Sequence, residues 1–215
     1  MAQIFRPGQI LGLKLALLFV LGIVAIGVVT VYKAAGGPVA PGDAAQQPIP
    51  FSHKHHVGDD GIDCRYCHTS VEKSSFAGLP ATETCMTCHS QLFTDAPMLA
   101  PLRDSAASGK PLRWTRVHDL PDFVYFDHSI HIAKGVACVE CHGRVDQMPL
   151  TRRGASLEMQ WCLGCHRHPE EHLRPREDVF SMQPARVTAA SSPELLRLLA
   201  LVPERRREDC STCHR

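Results

Sequence analysis

Residues 126–142 read FDHSIHIAKGVACVECH, and residues 51–68 read FSHKHHVGDDGIDCRYCH. Both stretches open on Phe-x-His-x-x-His, and both reach a Cys-x-x-Cys-His motif seven or eight residues after the second histidine. A further Cys-x-x-Cys-His follows each copy, at Cys85 in the first and Cys162 in the second. The offset between copies is 75 residues for the histidines, 74 for the first motif and 77 for the second. An offset that steady marks an internal duplication of a two-motif module. A fifth motif, Cys210 to His214, lies beyond the second copy.

The five motifs are Cys64-x-x-Cys67-His68, Cys85-x-x-Cys88-His89, Cys138-x-x-Cys141-His142, Cys162-x-x-Cys165-His166 and Cys210-x-x-Cys213-His214, and they use all 10 cysteines of the chain. In one helical turn, positions i, i+3 and i+4 share a face, so two thiols can bond a haem edge while the histidine reaches its iron. One such motif also fits a zinc site or a redox dithiol. Five in succession, each with its histidine, do not, because a dithiol has no use for that histidine. The spacing therefore predicts five covalently bound c-type haems, with His68, His89, His142, His166 and His214 as proximal iron ligands. Composition agrees: aromatic residues are 6% of the chain, while 16 Pro and 15 Gly leave little for an ordinary core. Five large apolar macrocycles would supply the missing burial. The formal net charge is +1 with acids and bases interspersed, which excludes a nucleic-acid footprint.

Eight histidines remain for the opposite faces of five irons. His53, His56, His128 and His131 occupy equivalent places in the two copies and are expected as distal ligands. His118, in the stretch 116–121 RVHDLP, is the fifth choice. His55 breaks the repeat and reads as a bystander, and His168 and His172 follow a motif closely, where polar groups face solvent. Met148 and Met159 could each supply a thioether instead, although filling the core is the simpler role for both. The last motif stands at the end of the sequence, so its distal ligand is expected from upstream, with an exposed haem edge as an exit or entry point for electrons. The basic run Arg205-Arg206-Arg207 reads as solvated charge in preference to a partner for haem propionates.

The organisation follows. Residues 1–34 hold an apolar stretch, Leu15 to Val31, long enough to span a bilayer, with Arg6 and Lys14 before it and Lys33 after it. That pattern predicts a single-pass anchor in the bacterial cytoplasmic membrane, its N-terminus in the cytoplasm and the body on the periplasmic side. A cleaved signal sequence ending near Ala34-Ala35-Gly36 is the alternative, and it too exports the body. Residues 35–50 read as a Pro/Gly/Ala linker, 51–110 and 111–175 as the two two-haem modules, and 176–215 as an extension with the fifth haem. Ser191-Ser192-Pro193-Glu194 opens a short helix through an apolar run to Val202, expected to pack between the fifth haem and another surface. The fold class is a multihaem cytochrome c, mainly α with much irregular structure, behind one transmembrane helix.

The Phe-x-His-x-x-His segment followed by Cys-x-x-Cys-His resembles the class III multihaem cytochromes. In that family the first histidine serves the haem of the next motif, which would set His53 and His128 opposite the haems at Cys64 and Cys138. Residues 116–131 (RVHDLPDFVYFDHSIH), 141–150 (CHGRVDQMPL) and 161–167 (WCLGCHR) together look like the pentahaem subunit of alternative complex III, a quinol-oxidising respiratory or photosynthetic complex. The resemblance spans the anchor and nearly all of the body. It implies an electron-transfer subunit without catalysis of its own. It also implies an iron-sulfur, molybdopterin-like subunit, polytopic quinol-binding subunits and a monohaem cytochrome as partners, and a soluble acceptor (a cytochrome c or blue copper protein) or an oxidase beyond them. The competing readings are a stand-alone membrane quinol dehydrogenase feeding a periplasmic reductase, and a tethered carrier with no partner.

Overall fold

A computed structural model of the chain describes residues 7–34, 41–184, 192–200 and 207–214. It divides into two compact units, 1–39 and 40–215. The first unit contains helix α1 (Pro7–Ala34), whose segment Gly8–Tyr32 has a mean hydropathy of 2.7 over its most apolar window. Its 25 residues rise about 37 Å, more than the roughly 30 Å of a hydrocarbon core. The helix begins earlier than the uncharged stretch, so Lys14 falls inside it, on a stem long enough to reach the headgroups.

The second unit is a succession of short helices and irregular chain. Among the described residues extended pairing is limited to isolated bridges, Pro41 with Arg153, Ala44 with Arg152 and Val136 with Leu173. Residues 41–50, read from sequence as linker, lie along the body: Gln47 exchanges hydrogen bonds with the Thr115 backbone at 2.7 and 2.9 Å, and Ile49 is buried. The motif helices are short: α2 (Cys64–Cys67), α6 (Cys138–His142) and α9 (Cys210–Cys213) are about one turn, and α3 (Thr82–His89) and α7 (Met159–Arg167) just over two, with α4 (Ala100–Ser108), α5 (His128–Ala133) and α8 (Pro193–Ala200) between them. Four- and five-residue helices do not persist alone in water. Local capping helps, as where the Asp63 carboxylate accepts the Arg65 N–H at 2.8 Å, but the core is thin. Buried apolar side chains are few and scattered: Ile49, Val71, Leu102, Ala137, Met148, Leu173, Val179, Met182 and Leu195.

Two points fix the second module. Gly135 has φ +92°, and a Cβ there would strike the Arg174 carbonyl, so only glycine allows the chain to turn and pair with Arg174, whose N–H donates to the Gly135 carbonyl at 2.9 Å. Helix α8 is capped by Ser192, which receives the Leu195 N–H at 3.5 Å. Leu195 is buried against Leu173 and Val136, whereas Leu196 and Arg197 are exposed, so α8 docks on the second module through Leu195. Val202 and residues 201–206 lie outside the described residues.

Candidate functional site

The duplicated Phe-x-His-x-x-His segments build the same local unit twice. In the first, Ser52 takes the His55 N–H and the chain enters a wide π-helical turn (Lys54–Asp59). In the second, Asp127 takes the Ser129 and Ile130 N–H groups and starts α5. The phenylalanine explains the motif's first position. Phe51 stands edge-on to His53 at 4.9 Å and stacks on His56 at 4.5 Å, and Phe126 repeats this on His128 at 4.8 Å and His131 at 4.4 Å. One aromatic ring thus sets two imidazoles.

Each of those imidazoles faces a motif histidine. Ring centroids are 6.5 Å apart for His53 and His68, 6.2 Å for His56 and His89, 6.3 Å for His128 and His142, and 6.2 Å for His131 and His166. Two metal–nitrogen bonds of about 2 Å, plus the ring radii, add to about 6 Å, so an iron fits between each pair. The first histidine of each copy faces the first motif of its module, and the second faces the second. In all eight rings Nδ1 has a hydrogen-bond partner or lies outside the gap: it meets Thr151 Oγ1 for His53, the Ser52 carbonyl for His56, the Gly78 carbonyl for His68 and the Leu92 carbonyl for His89. The same holds for His128 on Ser75, His131 on Asp127 and His166 on Arg207, all backbone carbonyls at 2.7 Å, and for His142 on His118. A ligand ring whose other nitrogen is held in this way keeps its orientation and leaves Nε2 for the metal.

Electrostatics agree with that role. Burial, with His68 and His56 adding to it, lowers His53 to about 4, and burial with His118 and His128 nearby lowers His142 to about 3. Burial also lowers His131. The rings therefore stay neutral, the form that offers a lone pair to a metal. None of the ten cysteines is paired in a disulfide, and burial pushes the Cys138 and Cys141 thiols up to about 12 and that of Cys165 up to about 11. Neighbouring thiols contribute to several of these shifts: Cys85 acts on Cys67, Cys64 on Cys138, Cys162 and Cys165 on Cys141, and Cys213 on Cys162. The motifs are thereby adjacent in the order second, first, third, fourth, fifth, and Tyr66 Oη to Thr87 Oγ1 at 2.7 Å joins the first to the second directly.

His118, expected as the fifth distal ligand, does not stand across an iron-sized gap from a motif histidine. Its ring lies 4.2 Å from that of His142, with the two Nδ1 atoms 3.2 Å apart, too close for a metal between them; burial lowers it to about 4. Its Nε2 receives the Gly154 N–H at 3.3 Å. His55 stands near Asp59 and Asp60, His168 beside Glu170 and His172 beside Glu140. Met148 is buried, its Sδ accepting the Arg152 N–H at 3.5 Å, whereas Met159 is 63% exposed.

A haem brings two propionates as well as an iron, and the body holds buried cationic donors for anions. Arg207 Nε and Nη1 and Arg174 Nε are buried without a hydrogen-bond partner. Arg207 is therefore not the solvated charge that the basic run suggested. Thr151, Ser75 and Gly154 belong to the site as well, and nothing in the local sequence marks them, since each acts across long separations.

Residues 124–215 match the family model described as cytochrome c7 and related cytochrome c, and residues 30–100 match that of the class III cytochrome c family. A multiheme cytochrome c subunit of menaquinone reductase from Nitratidesulfovibrio vulgaris Hildenborough is 43% identical over 98 residues. The matched region covers 45% of this chain and 46% of that relative, so under half of either is compared.

Proposed function

We propose that the chain is a multihaem cytochrome c that binds five haems and relays electrons as the cytochrome subunit of a membrane quinol-oxidising complex. The observation that carries the proposal is the set of four facing imidazole pairs, each spaced for one iron behind its own Cys-x-x-Cys-His turn. Bound haem supplies a one-electron centre that no side chain of this sequence offers.

The chain's own residues do the rest. Cys64 and Cys67, Cys85 and Cys88, Cys138 and Cys141, Cys162 and Cys165, and Cys210 and Cys213 would hold the haems through thioethers. His68, His89, His142, His166 and His214 would each hold the iron of their own motif, and His53, His56, His128 and His131 would hold the first four of those irons as well. With rings locked at Nδ1 on both sides, the four facing pairs would leave their irons no position for a substrate, which favours an electron carrier. The buried donors of Arg174 and Arg207 would suit haem propionates. Helix α1 anchors the body to the cytoplasmic membrane with the body on the periplasmic side. An iron-sulfur, molybdopterin-like subunit, polytopic quinol-binding subunits and a monohaem cytochrome share the complex, and a soluble acceptor or an oxidase takes the electrons.

The relative's name favours a second reading, in which electrons run the other way and the complex reduces menaquinone. Purification in mild detergent from native membranes, followed by mass spectrometry, tests the complex; recovery alone with quinol-reducible haems would instead make the chain a quinol dehydrogenase in its own right. Supplying the purified complex with quinol and an oxidised carrier, or with a reduced carrier and menaquinone, decides the direction. Intact mass of the chain counts the haems, five being required.

A further inference from the structure

We infer that the fifth iron takes its distal ligand from the thioether of Met159 and not from an imidazole. The inference rests on the five-haem reading above. The described residues include all 13 histidines, and eight of them form the four facing pairs. His214 has a different neighbour: its ring lies 5.8 Å from that of Phe123. None of the other four histidines stands across from it. His118 has both nitrogens engaged, at His142 and Gly154, and His55, His168 and His172 sit beside carboxylates elsewhere.

The backbone shows which way His214 faces. Its Nδ1 donates to the Phe123 carbonyl at 3.1 Å, and the Tyr125 N–H donates to the Cys213 carbonyl at 2.8 Å. Residues 123–125 therefore line the Nδ1 side, and the metal-binding Nε2 points away from them. The described part of the C-terminal segment runs back along α7. The Arg207 carbonyl accepts from His166 at 2.7 Å, Glu208 pairs with Arg167 at 3.0 Å, and by Cys213 the chain has reached Cys162, whose thiol feels it. One turn further along that direction, on the face that carries Cys162, is Met159.

Met159 has no part in the core. It is 63% exposed at the start of α7, whereas Met148, the other candidate thioether, is 9% exposed with its sulfur already accepting a hydrogen bond. The chain also enters α7 through Leu157 at φ +55°, a left-handed conformation that a branched apolar residue adopts only where its surroundings impose it. A thioether raises a haem's potential relative to a second imidazole. The fifth site would then be the one where electrons collect, at the exposed end of the motif series.

The test uses holoprotein from its own membranes, in wild-type form and as Met159→Leu, which keeps volume but removes the sulfur, and Met159→His. Wild type is expected to show the near-infrared charge-transfer absorption of a sulfur-ligated ferric haem. Met159→Leu loses it and turns one haem in five high-spin, while Met159→His loses it and stays low-spin with the highest of the five potentials lowered. Wild type carrying five haems by mass but lacking that absorption, or Met159→Leu retaining it, overturns the ligand while leaving the five-haem reading intact. A mass short of one haem at Cys210 and Cys213 sinks both.

Discussion

His53 and His55 are two residues apart, yet their surroundings assign them opposite roles, and replacing each with alanine separates the two. His53 faces His68 with rings 6.5 Å apart and only 4° from parallel, and its Nδ1 meets Thr151 Oγ1 at 2.7 Å. His53→Ala removes one nitrogen from one of five irons, so about one-fifth of the haem becomes high-spin and about one carbon monoxide binds per reduced chain. The change also strands the Thr151 hydroxyl, which costs about 1–3 kcal/mol if it stays dry. The His55 side chain is 55% exposed, with Asp59 and Asp60 at 3.9 and 3.5 Å. Exposed pairs of that kind contribute about 0–1 kcal/mol, so His55→Ala leaves spectrum and stability near wild type. Electron paramagnetic resonance of the oxidised proteins and carbon monoxide difference spectra of the reduced ones give the measurement. A His53→Ala spectrum without a high-spin component, or a His55→Ala spectrum with one, refutes the pairing.

Three further outcomes are expected. His118→Ala removes a neighbour of His142 and not an iron ligand, so the high-spin fraction stays at the wild-type level while one reduction midpoint moves; a new high-spin fifth would make His118 a ligand after all. Gly154→Ala sets a Cβ 2.5 Å from the His142 carbonyl group and 2.7 Å from the Gly143 nitrogen, backbone atoms that no rotamer change can relieve. Overpacking of that sort costs about 1–3 kcal/mol, or a fall in melting midpoint of about 2–4 °C per kcal/mol, and an unchanged midpoint counts against the close approach. Acid should weaken the body: the unfolded chain takes up protons below about pH 6.5, whereas folded His118, which is not an iron ligand, stays neutral to about 4. Its contribution to stability is then complete above about pH 6.5 and declines as the pH falls toward 4, in melting curves of wild type and His118→Ala recorded across that range; the same profile in both contradicts the burial of His118.

Spacing alone revealed the five Cys-x-x-Cys-His turns, the duplication and the apolar N-terminal helix, because each depends on residues within one or two helical turns of one another. The equivalence of His53 with His128 and of His56 with His131 was equally legible, since a repeat carries its ring partners with it. Which imidazole faces which motif was decided by tertiary structure, through Phe51 and Phe126, which set two rings each, and through Thr151 and Ser75, which fix His53 and His128 from 98 and 53 residues away. His118 shows the limit of counting: it makes up the number of distal ligands on paper, but the chain folds it onto His142. The Arg207 side chain reversed its sequence reading for a similar reason, since a charge run looks solvated until the fold buries one of its members. Local pattern names the groups able to bind a haem, and only packing over long separations brings two of them to opposite sides of the same gap.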